Sequence, residues 1–180
     1  MIEETRTALP LQAGQVQRYD YEYRRNGTRN LFLFFEPLTA WRHVAVTEQR
    51  TAQDFAHQMR WLVEVAYPDA DCVEVILDNL NTHKPASLYE AFPPAEANHI
   101  LKRLAFHYTP KHGSWLNMAE IEFSVFLRKL GYHVPDEHTL KRKVAAIEDT
   151  RYHAQSTVNW QFTSDDARIR LSRLYPSIPD

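Results

Sequence analysis

"CVEVILDNLNTH", residues 72–83, decides how the rest of the chain is read. A short apolar run rich in β-branched residues stops at an aspartate, then gives two asparagines and a histidine. Such a run predicts a strand over 72–77. Asp78 then falls at the strand's carboxyl end, where α/β sheets gather their ligands. The same residues suit an ordinary turn, because Asp and Asn bond readily to nearby backbone. Cys72 opens the run and reads as a small core residue.

Upstream, residues 1–18 show little periodicity and carry Pro10 and Gly14, so they read as irregular. "YDYEYR", 19–24, alternates like a strand and is followed by the turn pair Asn26-Gly27. "NLFLFFEP", 30–37, reads as a buried strand, and "WRHVAVTE", 41–48, as an alternating one. Together they predict an antiparallel meander. Thr51 and Asp54 resemble a capping box that opens a helix buried along Phe55, Met59, Leu62, Val63 and Ala66. A strand following that helix suggests a βαβ crossover beside the first sheet.

Downstream, short helices are expected over 85–104, broken at Pro93 and Pro94, then a strand at "LAFHYT", 104–109. A helix from about Leu116 to Leu130 ends at Gly131, and two more are expected near 136–153 and 164–174. On the first of these, Leu116, Phe123, Leu127 and Leu130 form one stripe at roughly 100° per residue. Glu120 lies at the rim of that stripe and Glu122 points away, which makes Glu122 a solvated acid. A carboxylate beside a packed face is uncommon unless paired or bound to a cation. Glu120 is therefore the candidate, against a plain rim residue. Between Ala97 and Ala119 there is no acid, while Lys102, Arg103, Lys111, His99, His107 and His112 occur. A basic approach to a carboxylate suits a phosphate backbone near metal, or simply a solvated loop. Trp115 in that loop could pack or stack on a base.

Bulk properties exclude other classes. The chain's 180 residues suit one domain, and its formal net charge of −2 is unlike a protein that coats nucleic acid. A single cysteine excludes an internal disulfide and a cysteine zinc cluster. No apolar run nears the roughly 20 residues that span a membrane, and the start lacks a signal-peptide core. Four glycines and no glycine-rich phosphate loop argue against a nucleotide cofactor. The histidines lack zinc-ligand spacing, and Ser114 lacks a nucleophile elbow.

The strand followed by "LDN" and His83, then "HYTPKHGSWLNMAEIEF", 107–123, resembles the DDE transposases of bacterial insertion sequences in the mariner-related superfamily. The likeness runs from about Tyr19 to Ser177. It implies an α/β, ribonuclease-H-like mixed sheet flanked by helices, with a helical C-terminal end. It implies that Asp78 and Glu120, 42 positions apart and somewhat further than in the mariner branch, are the second and third acids of a site for Mg²⁺ or Mn²⁺. The complete site would hold two ions. Asn79, His83 and Asn117 would orient those ligands or contact phosphate, and Lys111 and His112 would approach DNA. The implied partners are transposon ends and target DNA, with room for a homodimer. The implied setting is the bacterial cytoplasm, at the nucleoid when DNA-bound.

The resemblance also marks what is missing. The family's first acid lies on an opening strand, in an Asp-Glu pair, upstream of the stretch resembling "ETRTALP". Neither that strand nor an N-terminal helix-turn-helix is found, and Asp20 is a weak substitute. That strand runs through the middle of the family's sheet, so its loss predicts two strands with unpaired edges. The expectation is one catalytic domain over 1–180, a truncated frame or one part of a split transposase, poorly active alone. Alternatives are a non-catalytic DNA-binding or assembly remnant, and a ribonuclease-H-like nuclease.

Overall fold

A computed structural model describes residues 1–4, 23–110 and 113–172 of the chain. The architecture is α/β. Among the described residues, three two-stranded sheets are accompanied by six α-helices, the last three of them toward the C-terminal end. β3 (Asn30–Glu36) and β4 (Trp41–Thr47) pair antiparallel, with Leu33 opposite Val44. Alternation sorts their side chains onto two faces. Phe32 and Phe34 pack toward α1 (Ala52–Trp61), which continues through a π turn at Leu62–Ala66. Leu31, Leu33, Val44 and Val46 join Phe126 of α4 (Met118–Leu130) and Val144 of α5 (Glu137–His153). The β3–β4 pair is thus a layer between two helical layers. Both faces are covered, and every residue of β3 is half-buried.

The capping box stands as the sequence foretold. Thr51 Oγ1 accepts from the Asp54 amide at 3.1 Å, and Asp54 accepts from the Thr51 amide at 2.8 Å. Phe55, Met59, Leu62 and Val63 are buried, and Ala66 packs at the edge of the same cluster. β5 (Val73–Leu77) is followed by α2 (Ala86–Ala91) and α3 (Pro94–Leu101), then by β6 (Leu104–Tyr108) parallel to β5. Pro94 opens α3, where its missing N–H costs nothing. α4 ends at Gly131, whose φ of 73° suits glycine. α6 covers Ser164–Arg170.

Four expectations are corrected. Ile2–Glu4 is a strand, β1, and it pairs with β2 (Tyr23–Arg25), so β2 does not continue a meander into β3. Three residues are too few for periodicity to show. The βαβ crossover is β5–α2–α3–β6, and β5 bonds to neither β3 nor β4. Cys72 is exposed, because it lies just before β5 begins and outside the buried cluster. The fourth concerns Glu122 and is described below. Among the described residues no helix is long and apolar enough to cross a membrane.

Candidate active site

Asp78 follows β5 directly. Its Oδ1 meets His83 Nδ1 at 2.7 Å and accepts from the Leu80 amide at 3.2 Å. Its Oδ2 has no hydrogen bond among the described residues. His83 is held from two sides. Its ring stacks on Phe55, centroids 4.9 Å apart, and its carbonyl accepts from Tyr108 Oη at 2.8 Å. Burial raises the Tyr108 phenol pKa, which keeps it a neutral donor. His83 therefore fixes the Asp78 carboxylate through one oxygen and leaves the other without a hydrogen bond among the described residues. Support of this kind is what orients a metal-ligating carboxylate.

Asn79 turns the other way. Its Nδ2 donates to the Thr109 carbonyl, while the Thr109 amide donates to Leu77 at 2.9 Å. Through its Nδ2, Asn79 straps the ends of β5 and β6 together. Asn117 caps α4, its Oδ1 accepting from the Ala119 amide at 3.0 Å. Asp78, His83, Asn117, Met118 and Ala119 border one cavity, so the end of β5 faces the start of α4.

Glu120 stands in the first turn of α4, exposed, with no hydrogen bond or ion pair from its carboxylate among the described residues. It is more open than a rim position would be. The buried face of α4 is rotated from the apolar count, toward Glu122, Phe126 and Leu130. Leu127 is largely exposed instead. Glu122 is 1% exposed and is not a solvated acid. Arg151 grips it with two bonds, Nε at 2.6 Å and Nη2 at 2.5 Å, and Arg42 Nε stands 2.9 Å away. Burial pulls the Arg42 pKa down and the Glu122 charge opposes that pull. Arg42 was the missed signal. It sits in step with Val44 on the inward face of β4, and an inward arginine requires a buried acid.

The basic approach is only partly free. Arg103 Nη2 donates to the carbonyls of Tyr67, Pro68 and Ala70, so it braces the entry to β5. Lys102, His99 and His107 are exposed. Trp115 packs edge-on against Phe162, centroids 5.0 Å apart, and keeps 40% of its surface open. Lys111, His112 and Asp20 lie outside the described residues.

A short strand thus ends in a braced carboxylate, and the helix whose start borders the same cavity carries an unpartnered one in its first turn. The chain belongs to the DDE superfamily endonucleases, whose family model matches residues 2–141. No curated protein and no solved structure matches it. The α/β architecture is consistent with the ribonuclease-H-like fold of that family. These endonucleases act on DNA and generally use divalent metal ions. The donor set fits in kind, since carboxylate oxygens are what Mg²⁺ prefers. Among the described residues, no three His, Cys, Asp or Glu side chains cluster closely enough to hold an ion.

Proposed function

We propose that this chain is the catalytic domain of a DNA transposase of the insertion-sequence type, cutting transposon ends and joining them to a target. The carrying observation is the pairing of a braced Asp78 with the unpartnered Glu120 at the start of the helix across the cavity. Asp78 Oδ2 and the Glu120 carboxylate would hold divalent metal, Mg²⁺ or Mn²⁺, with His83 keeping Asp78 in its rotamer. Metal held there would supply activation of a water or 3′-hydroxyl nucleophile and stabilisation of the leaving oxygen in an in-line displacement. The chain's own part is placement. The His83 brace holds the Asp78 carboxylate and the Asn117 cap sets the start of the helix that carries Glu120, so part of the placement precedes DNA binding. Exposed Lys102, together with Lys111 and His112, would meet the DNA backbone.

With two candidate acids among the described residues, the domain should bind metal weakly and cut poorly alone. The test measures Mn²⁺ binding by electron paramagnetic resonance and nicking of supercoiled DNA by residues 1–180. Weak binding lost in both Asp78→Ala and Glu120→Ala supports the reading. Robust Mg²⁺-dependent nicking, abolished by Asp78→Ala, would sink the view that the site needs a further acid. A second reading, a DNA-binding or assembly remnant, draws on the lack of a three-ligand cluster among the described residues. It requires DNA affinity indifferent to metal and to Glu120→Ala. Strand-transfer products, rather than hydrolysis alone, would separate a transposase from a simple nuclease.

A further inference from the structure

α4 and α5 run antiparallel. Lys143 Nζ donates to the Leu130 and His133 carbonyls at the end of α4, at 3.3 and 2.8 Å, and Arg151 Nη2 meets Glu122 nearer its start at 2.5 Å. α5 therefore brings the chain back toward the first turn of α4, and it stops there sharply. Gln155 takes the left-handed conformation at φ 46°, and the Ser156 amide donates to the Arg151 carbonyl at 3.1 Å, as in a Schellman turn. The Ser156 carbonyl then accepts from Arg42 Nη2, which anchors the chain to the buried Arg42–Glu122–Arg151 cluster.

Residues 156–163 form neither helix nor strand, yet they carry a period of two. Ser156, Val158, Trp160 and Phe162 are half-buried, and Thr157, Asn159, Gln161 and Thr163 are exposed. That alternation marks an extended segment lying with one face on the molecule. At its far end Phe162 packs edge-on against Trp115, and Trp160 packs on Phe162 with centroids 6.0 Å apart.

Trp115 belongs to the turn that leads into the site. Its bonds are local. The Gly113 amide donates to the Pro110 carbonyl at 2.8 Å, the Leu116 amide to Gly113 at 2.9 Å, and the Glu120 amide to Asn117 at 3.0 Å. The turn is as tight as glycine allows, since a Cβ on Gly113 would meet the Pro110 carbonyl at 3.1 Å. Leu116 and Asn117 border the cavity beside Asp78. Bonds within a turn set its shape but not its place. The Phe162 contact ties this turn to a segment fixed on β4 through Ser156 and Arg42.

We propose that residues 156–162 are a positioning strap, in which Phe162 acts through Trp115 to hold the start of α4, and with it Glu120, beside the end of β5. The part played by Glu120 rests on the proposed function, whereas the strap itself does not.

The test compares the full chain with Phe162→Ala and Phe162→Tyr, by residue-resolved amide exchange and by Mn²⁺ titration. In Phe162→Ala the Gly113, Leu116 and Glu120 amides should exchange about tenfold faster, while those of α1 and of the β5–β6 ladder keep their rates. Mn²⁺ affinity should weaken about tenfold, the low end for loss of an orienting partner. Phe162→Tyr keeps the aromatic contact and should restore both. Unchanged exchange at the three amides overturns the proposal. So does acceleration spread evenly over the fold, which would make Phe162 an ordinary stabilising residue. Unchanged Mn²⁺ affinity in Phe162→Ala, where Glu120→Gln abolishes binding, overturns it as well. If Mn²⁺ binding is indifferent to Glu120→Gln, the proposed function fails instead, and exchange alone decides the strap. Should Phe162→Ala not fold, Phe162→Leu carries the same comparison.

Discussion

Glu120 and Glu122 are two positions apart on one helix and have opposite surroundings. Glu120 is open to solvent with no partner among the described residues, at the end of the molecule where β5 stops. Glu122 is sealed between Arg42 on β4 and Arg151 on α5, tying the central layer to both covering helices. Two positions on a helix are about 200° apart, so neighbouring acids face opposite ways. The difference teaches that a charge's surroundings decide its work. A carboxylate whose charge is already neutralised by two guanidinium groups has nothing left for a metal. One without a partner does.

The largest expected effect breaks this contrast from the buried side. Glu122→Ala leaves Arg42 and Arg151 buried together with no anion between them. Loss of one partner from a buried ion pair costs about 3–5 kcal/mol. Urea unfolding should show that loss, and a change below about 1 kcal/mol would mean the cluster is hydrated and not structural.

Glu120→Gln tests the other side. Stability should stay within about 0.5 kcal/mol of the parent, as for exposed sites without special contacts. Mn²⁺ binding should disappear. A stability loss as large as that of Glu122→Ala would show that Glu120 is structural and would remove it from the site. His83→Ala sharpens the picture further, because it touches Asp78 without removing a ligand. Loss of an orienting partner typically weakens metal affinity 10–100-fold. Titration calorimetry with Mn²⁺ should find a drop in that range, and unchanged affinity would make His83 merely a neighbour of Phe55.

Much of this molecule is readable from sequence where the determinants are local. Phe32 and Phe34 against Leu31 and Leu33 announce a strand with two buried faces, and Thr51 with Asp54 announces a helix start. Asp78 and Glu120 stand out by their places after a strand and in a first helical turn. What periodicity could not reveal depends on distant partners. Counting apolar residues treats Glu122 as surface, because its reason for being buried lies 80 positions earlier at Arg42. β1 is only three residues long, and its pairing partner is 19 positions further on. The fate of Asn79 was equally hidden, since Thr109 is its partner only once β6 lies beside β5.

The smallest effect concerns a third kind of carboxylate, neither buried nor free. Asp136 caps α5, accepting from the Thr139 amide at 2.7 Å, and that bond holds its pKa below the usual carboxylate value. A depressed native pKa means the unfolded chain binds the proton first as pH falls. The cap's contribution is thus full above the ordinary Asp range and is lost as pH drops through the lower native value. Because α5 carries Arg151, fraying there would reach Glu122 from its far end. Comparing the parent with Asp136→Asn by urea unfolding across the acid range isolates the cap. The parent's extra stability should shrink with falling pH and vanish once Asp136 is protonated in both states. A difference that stayed constant with pH would show that the cap acts through shape alone, leaving Glu122 as the acid whose charge the fold requires.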